Sequence, residues 1–465
     1  MIEGKKMLIK FSVSNFLSFN KSQSLSMESN KSNKMKHHMI INKNNRILKS
    51  ALLFGANASG KSNFIKAIDF ARLLVLKGDS SRVVVDKKYF RIASNNKNKP
   101  GIFQFDLEVN NRYYSYGFAL SYITNDILGE WLIDITGTEN TIFSRTLNDT
   151  KEGYSIETNL KINDNNNKTR FNIYLEDFKK KEMSNLLILS DLAKRTSDIK
   201  ECDILRNIIN WFSAIVVIYP NTHNDSWKVK TVLTNEKVLK TFLEGLDTGI
   251  EQPIIKEIDF KDALKEFPDT IKDDLTKDVS NALTKNINKT LVFNMNGNVF
   301  FIKGKKSPTG EIEFKTNTIV FDHGNKGDCF EFKDESDGTR RIFDLLPLLS
   351  MENDDSLILI DELDQSLHTK LAQLFYEMFM NSCKGLKKQL IFTTHDVLLM
   401  DLDLERQDEI WFIERESDHS SRLYSLSDYK VRSDTKRKLG IDYLVGRYGA
   451  IPVLEKEICW GDSDE

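Results

Sequence analysis

Gly55 and Gly60 bracket four residues and are followed at once by Lys61 and Ser62, the spacing G-x-x-x-x-G-K-S. Such a loop does phosphate chemistry. Glycines let the backbone wrap an anion without Cβ clashes. The amides that open the next helix point at the same anion. Lys61 would reach the β- and γ-phosphates of a nucleotide, and the Ser62 hydroxyl would hold Mg²⁺, with Asn57, Ala58, Ser59 and Asn63 lining the loop and the helix start.

Three further places could complete such a site. Leu357-Ile-Leu-Ile is an apolar run that ends in Asp361 and Glu362. Placed at the carboxyl end of a buried strand, Asp361 would accept from a Mg²⁺-bound water or from Ser62, and Glu362 would activate the attacking water. Gln389-Leu-Ile-Phe-Thr-Thr is a second buried-strand pattern and ends at His395, an imidazole that could bond the γ-phosphate. Ser336, the turn at Gly338 and Thr339 stand where a helix starts, so a hydroxyl and free amides there form an anion site or an ordinary cap. Asp401-Leu-Asp403 has the look of a metal-binding D-x-D but reads better as a surface loop.

The elements around these residues are expected to be α/β. Ala51 to Phe54 reads as a short buried strand, and Asn63 to Leu74 as a helix. Strands are expected at Leu8 to Val13, Phe16 to Phe19 and Gln23 to Met27, then an exposed basic loop over 30–46 and a return to strand over Arg82 to Ile92. Phe103 to Val109 and Arg112 to Leu120 form a hairpin across Asn110-Asn111, and the β pattern continues over Ile127 to Ile135 and Thr141 to Arg145. A polar stretch at 159–170 marks a boundary. Helical spacing follows over Leu186 to Ala193, Ile204 to Phe212, Val238 to Leu246 and Ala263 to Leu283, with one strand from Ile215. Gly245, Gly249, Pro253 and Pro268 break this part, which argues for a compact helical insertion without a coiled-coil arm. Strands resume at Leu291 to Met295 and from Val299 across the Asn296-Gly297 turn, then at Glu311 to Lys315 and Thr318 to Phe321. The expected organisation is an amino-terminal lobe over 1–158, a mainly helical insertion over 159–290 and a carboxy-terminal lobe over 291–465.

Composition narrows the class. The 465 residues suffice for two or three domains. A formal net charge of -2 gives no global basic field for nucleic acid, although local patches remain compatible with it. Cys202, Cys329, Cys383 and Cys459 form no C-x-x-C pair, which fits reduced thiols and a cytoplasmic setting. No apolar run approaches membrane-spanning length.

The P-loop, Ser336-Asp-Gly-Thr339, Leu357 to Glu362, Leu363-Asp364-Gln-Ser-Leu-His368 and Thr-Thr-His395 occur in ABC-ATPase order. The chain resembles the ABC-type ATPases of the SMC, Rad50 and RecF kind, and more closely the bacterial AAA15/AAA21 family that includes the RloA and AbiL ATPases. Asn15-Phe-Leu-Ser-Phe, Arg406 to Glu414, Tyr424-Ser-Leu-Ser-Asp and Tyr443 to Pro452 also resemble that family. The resemblance implies an ABC-type P-loop head (a mixed sheet with an antiparallel β subdomain) that forms a head-to-head homodimer or higher oligomer. Each ATP would lie between one P-loop and Ser336, Gly338 and Thr339 of the other subunit, with Asp364 at the seam. Asp337 stands where transporters carry glycine, and Gln104 is the one weak match to a Gln-loop metal contact. The family implies phage defence with a separately encoded effector, often a nuclease. No H-N-H-like cluster is present, and too few residues follow His395 for a Toprim nuclease domain. The rival readings are a DNA-repair ATPase acting on DNA ends and an ATP-clamped scaffold with little turnover. Gly446-Arg447-Tyr-Gly449 near the end reads as a tail that docks on the ATPase lobe or on a partner, or as terminal packing.

Overall fold

A computed structural model describes residues 6–41, 45–148, 153–222, 225–234, 239, 243, 248–265, 269–306, 312–325, 327–349, 351, 355–431 and 439–452. The chain divides into two compact units: Met1–Pro220 with Asn353–Asp364 and Cys383–Glu465, and Asn221–Glu352 with Gln365–Ser382.

The first unit holds a six-stranded sheet in the order Val216–Ile218, Leu357–Ile360, Gln389–Thr393, Ser50–Phe54, Ile410–Arg415, Ser421–Ser425. All pairs are parallel except the last. The central three strands are buried along their whole length. Their sequences are therefore continuous apolar runs and do not alternate. In an open parallel sheet, ligands gather at the carboxyl ends of the strands. That edge carries Gly55, Asp361 and Thr394-His395 together, because their three strands are neighbours. A second, antiparallel sheet of seven strands runs from Tyr154–Glu157 through Asn140–Leu147, Ile127–Asp134, Arg112–Leu120, Gly101–Val109 and Lys6–Ser14 to Gln23–Ser26. Asn110 and Asn111 turn its central hairpin with φ of 57° and 61°, the double left-handed turn that asparagine tolerates. The helices Lys61–Lys77, Ile188–Arg195 and Asp203–Ser213 bury Phe64, Leu192, Trp211 and Phe212 in one core with Phe11, Phe103 and Phe105.

The second unit contains a five-stranded sheet of Gln252–Ile258, Ile312–Asp322, Asn298–Lys306 and Leu291–Met295, with Phe330–Glu331 beside Ile312–Asp322. Its core joins Phe301, Phe321 and Phe332 to Phe343 and Leu346 of the helix Asp337–Leu349.

Several local expectations change. Asn15 to Phe19 is a tight turn and not a strand, with Asn15 and Leu17 both at φ 49°. The Asn15 side chain holds it, donating to the Asn96 and Lys99 carbonyls at 2.8 and 2.9 Å. Beside the basic loop expected over 30–46, Met39–Ile41 pairs antiparallel with Arg46–Leu48, and His38 is buried against Glu409. Arg82 to Ile92 forms turns without a strand. Gln252–Ile258 is a strand despite Pro253. It lies at the sheet edge, where a missing N–H is tolerated. The two strands expected over 311–321 are one, Ile312–Asp322. The helical run over 263–283 divides between Phe260–Ala263 and Asp269–Lys285, and most of Val238 to Leu246 lies outside the described residues. No helix among the described residues is long and apolar enough to cross a membrane.

Candidate functional site

The phosphate loop is built from behind. A Cβ on Gly55 would stand 2.3 Å from the Ile413 carbonyl oxygen, so only glycine lets the loop leave its strand there. Gly60 sits at φ 113°, and a Cβ on it would stand 2.1 Å from Ser421 Oγ. Ser421 Oγ donates to the Ser59 carbonyl (2.5 Å) and bonds Ser18 Oγ (2.7 Å), while Asn63 Nδ2 donates to Ser18 Oγ (2.9 Å). Two serines from opposite ends of the chain thus brace the loop. Lys61 opens the helix Lys61–Lys77 and is 5% exposed. Its ammonium donates to the carbonyls of Gly55 (2.7 Å) and Ala56 (3.1 Å). Burial pushes its pKa down to about 8, against the pull of Glu362, Asp361 and Asp364.

The acids are held from the neighbouring strand. Thr393 is fully buried. Its hydroxyl donates to Asp361 Oδ1 (2.8 Å) and accepts from the Glu362 amide (2.7 Å), and its carbonyl accepts from the Leu363 amide (3.0 Å). Glu362 has φ 53°, an unfavourable angle for a residue with a Cβ, and the Thr393 bond to its amide helps to hold it there. One turn on, Asp364 accepts from the His395 amide at 3.2 and 3.3 Å. His395 Nε2 lies 3.9 Å from Glu362 Oε1. Burial and then the Lys61 charge lower the His395 pKa, so the ring is neutral at pH 7.

Asn57, Ala58, Ser59, Gly60, Lys61, Ser62, Asn63, Glu362 and His395 line one cleft of about 350 Å³. Gly55 contributes its carbonyl to Lys61, and Asp361, 3% exposed, stands behind Glu362. Every lining residue belongs to the first unit. The Ser336–Thr339 turn belongs to the second, where Ser336 Oγ accepts from the Thr339 amide (3.1 Å) as a cap for the helix Asp337–Leu349. Asp337 pairs with Arg340. Gln104 does not line the cleft. It lies within the strand Gly101–Val109 and donates to Asp106 (3.1 Å). Asp401 and Asp403 share a turn, the Asp403 amide donating to Asp401 (2.9 Å), and no metal-holding group of three or more His, Cys, Asp or Glu occurs among the described residues. The sequence reading passed over Ser18, Ser421 and Thr393. The signals were there in Asn15-Phe-Leu-Ser-Phe and in Thr-Thr-His395, but neither string says what its hydroxyl touches.

The donor set fits a nucleotide polyphosphate. It offers a buried ammonium whose charge an anion would stabilise, helix-start amides around it, and a cleft large enough for the phosphates. The Ser62 hydroxyl and the Asp361 carboxylate are hard oxygen ligands of the kind Mg²⁺ takes. The family described as "AAA domain, putative AbiEii toxin, Type IV TA system" matches residues 50–401, more than half of the chain. The chain belongs to this AAA-domain family. It is an ATPase-type protein. The SMC head domain from Thermotoga maritima is similar in structure at 12% identity, covering 91% of this chain and 100% of that one, with a TM-score of 0.37. No curated protein matches the chain.

Proposed function

We propose that the protein is an ATP-driven switch: two copies close head to head on ATP, hydrolysis opens them, and the change controls a separate effector protein, a nuclease, in bacterial anti-phage defence in the cytoplasm. The observation that carries this reading is the gathering of Lys61, Glu362 and His395 on one cleft whose lining comes entirely from the first unit. In this reading, Ser336, Gly338 and Thr339 of a second copy complete it. The Lys61 ammonium holds the β- and γ-phosphates. Glu362 orients the attacking water and accepts its proton. Neutral His395 donates a hydrogen bond to the γ-phosphate. Ser62 and Asp361 would hold Mg²⁺, which when bound neutralises phosphate charge. Asp364, tied to the His395 amide, carries the state of that strand end to the subunit seam. The description of the matched family, a putative toxin of a toxin–antitoxin system, supports a role in bacterial conflict.

The test is Glu362→Gln. We expect ATP affinity to be kept, turnover to fall at least about a hundredfold, and an ATP-dependent dimer to accumulate in light scattering. Turnover equal to wild type removes Glu362 from the chemistry. A monomer under saturating ATP removes the dimer switch. Co-purification from the native host identifies the effector.

A further inference from the structure

Between the strands Gln389–Thr393 and Ile410–Arg415 the chain runs through short 3-10 turns at Val397–Leu399 and Gln407–Glu409. Glu405, within this loop, is 1% exposed, and neither of its carboxylate oxygens has a hydrogen-bond partner among the described residues. It lines a cavity of about 90 Å³ together with Asn30, Ser32, Lys34 and Gln407. A buried carboxyl without a partner is costly unless something completes it.

The buried neighbouring charges are already committed, and Lys34, the other cation of the lining, is an exposed residue. The Arg406 guanidinium binds Asp408 at 2.9 and 2.8 Å and donates to the carbonyls of Ser32 and Lys34. Glu409 accepts from Ser50 Oγ (2.5 Å) and the Arg406 amide (2.8 Å) and faces His38 Nδ1 at 2.9 Å. Asp401 accepts from the Asp403 amide (2.9 Å). Burial, reinforced by Glu409 and Asp401, pushes the Glu405 pKa well above the usual carboxylate range. Arg406 balances Asp408, and His38 faces Glu409. Once it gives up its proton, Glu405 has one charge to balance and room beside it for one small ion.

We propose that this cavity binds a single small monovalent cation, of the potassium or ammonium class, through the Glu405 carboxylate and uncharged oxygens of the lining. The cavity is too small for a nucleotide. One unbalanced carboxylate matches one positive charge better than Mg²⁺ or Ca²⁺, which gather several charged oxygens. The loop that would be stiffened is the one that leaves His395.

The test is thermal unfolding and proton release in potassium, ammonium or N-methyl-glucamine chloride at equal ionic strength, with an indicator dye for the protons. For the wild type we expect a saturable Tm rise of a few degrees in one or both of the first two salts. It should be accompanied by release of up to about one proton per chain, because the cation replaces the proton on Glu405. Comparing potassium with ammonium tells which ion is preferred. Glu405→Gln should lose both responses. Gln is near-isosteric and has no charge to bury, so this variant folds. Lys34→Met should keep both. Identical behaviour in all three salts would assign the cavity to water and overturn the proposal. So would a response that persists in Glu405→Gln, or one that appears only when Lys34 is removed, which would make the Lys34 ammonium the resident cation.

Discussion

Thr393→Val removes one hydroxyl and leaves the shape of a fully buried side chain nearly unchanged. Two hydrogen bonds go with it. The bond to Asp361 (2.8 Å) has an ionised acceptor and contributes about 1.5–3 kcal/mol. The bond from the Glu362 amide (2.7 Å) is neutral and contributes about 1 kcal/mol. A methyl in place of a hydroxyl returns about 1 kcal/mol of burial free energy. The net loss is about 1.5–3 kcal/mol, which thermal unfolding reads as a Tm lower by several degrees. The effect on chemistry is more specific. Glu362 is held at φ 53°, which costs about 1–2 kcal/mol for a residue with a Cβ. Without the Thr393 bond the backbone is free to relax and carry the carboxylate away from the water that Glu362 is proposed to activate. A barrier increase of about 1.4–2.7 kcal/mol is a 10- to 100-fold fall in kcat. ATP affinity should stay within about threefold, because Thr393 does not line the cleft. Thr393→Ser keeps the hydroxyl and loses only a methyl, so it should lose stability and keep kcat. A Thr393→Val enzyme with wild-type kcat, or a Thr393→Ser enzyme as slow as Thr393→Val, would refute the argument that this hydroxyl positions the acids.

Lys61 is pushed down to about 8 from 10.5, so its charged form is disfavoured in the folded chain. The sign follows: the penalty is present below pH 8 and fades as pH rises toward 10.5. Lys61→Met should therefore raise the Tm of the nucleotide-free protein at pH 7, the gain closing by about pH 10, while nucleotide binding is lost. Wild-type affinity for nucleotide in EDTA should weaken above pH 8 as the ammonium loses its proton, and calorimetry in buffers of different ionisation enthalpy should register proton uptake on binding. Gly60→Ala places a methyl 2.1 Å from Ser421 Oγ at φ 113° and should abolish nucleotide binding. Adding Ser421→Gly removes that clash but leaves Ser18 Oγ 2.6 Å from the new methyl and the backbone angle unchanged, so fluorescence titration with a nucleotide analogue should show no rescue. Ser336→Arg should abolish hydrolysis while each chain still binds ATP, since the cleft is lined from the first unit; normal turnover would argue against a composite site.

The candidate residues that meet at the cleft were legible because they lie in local strings. Ala51 to Ser62, Leu357 to Glu362 and Gln389 to His395 each combine a buried strand with its polar end in a few consecutive residues, so chain order alone carries strand, loop and side chain. The tail was half legible. Tyr448 packs on Phe412, with ring centres 6.0 Å apart, and its carbonyl accepts from Tyr424 (2.7 Å), a contact that needs two distant segments. The reading of Phe16 to Phe19 as a strand failed because its aromatic spacing is the same in a strand and in a turn. The decision lay with Asn15 bonding carbonyls some eighty residues away.

By itself, the sequence determined that a P-loop strand, an acid strand and a histidine strand exist, and that the chain carries the parts of a nucleotide site. Tertiary structure alone decided that those strands are neighbours and that Ser421 and Ser18 brace the phosphate loop. It also decided that Thr393 clamps Asp361 and Glu362, and that Glu405 is buried without a partner. The physical reason is range. Strand and helix patterns arise from residues a few positions apart, whereas a hydroxyl's role is set by which atom lies within 3 Å of it, and here that atom is tens to hundreds of residues away along the chain.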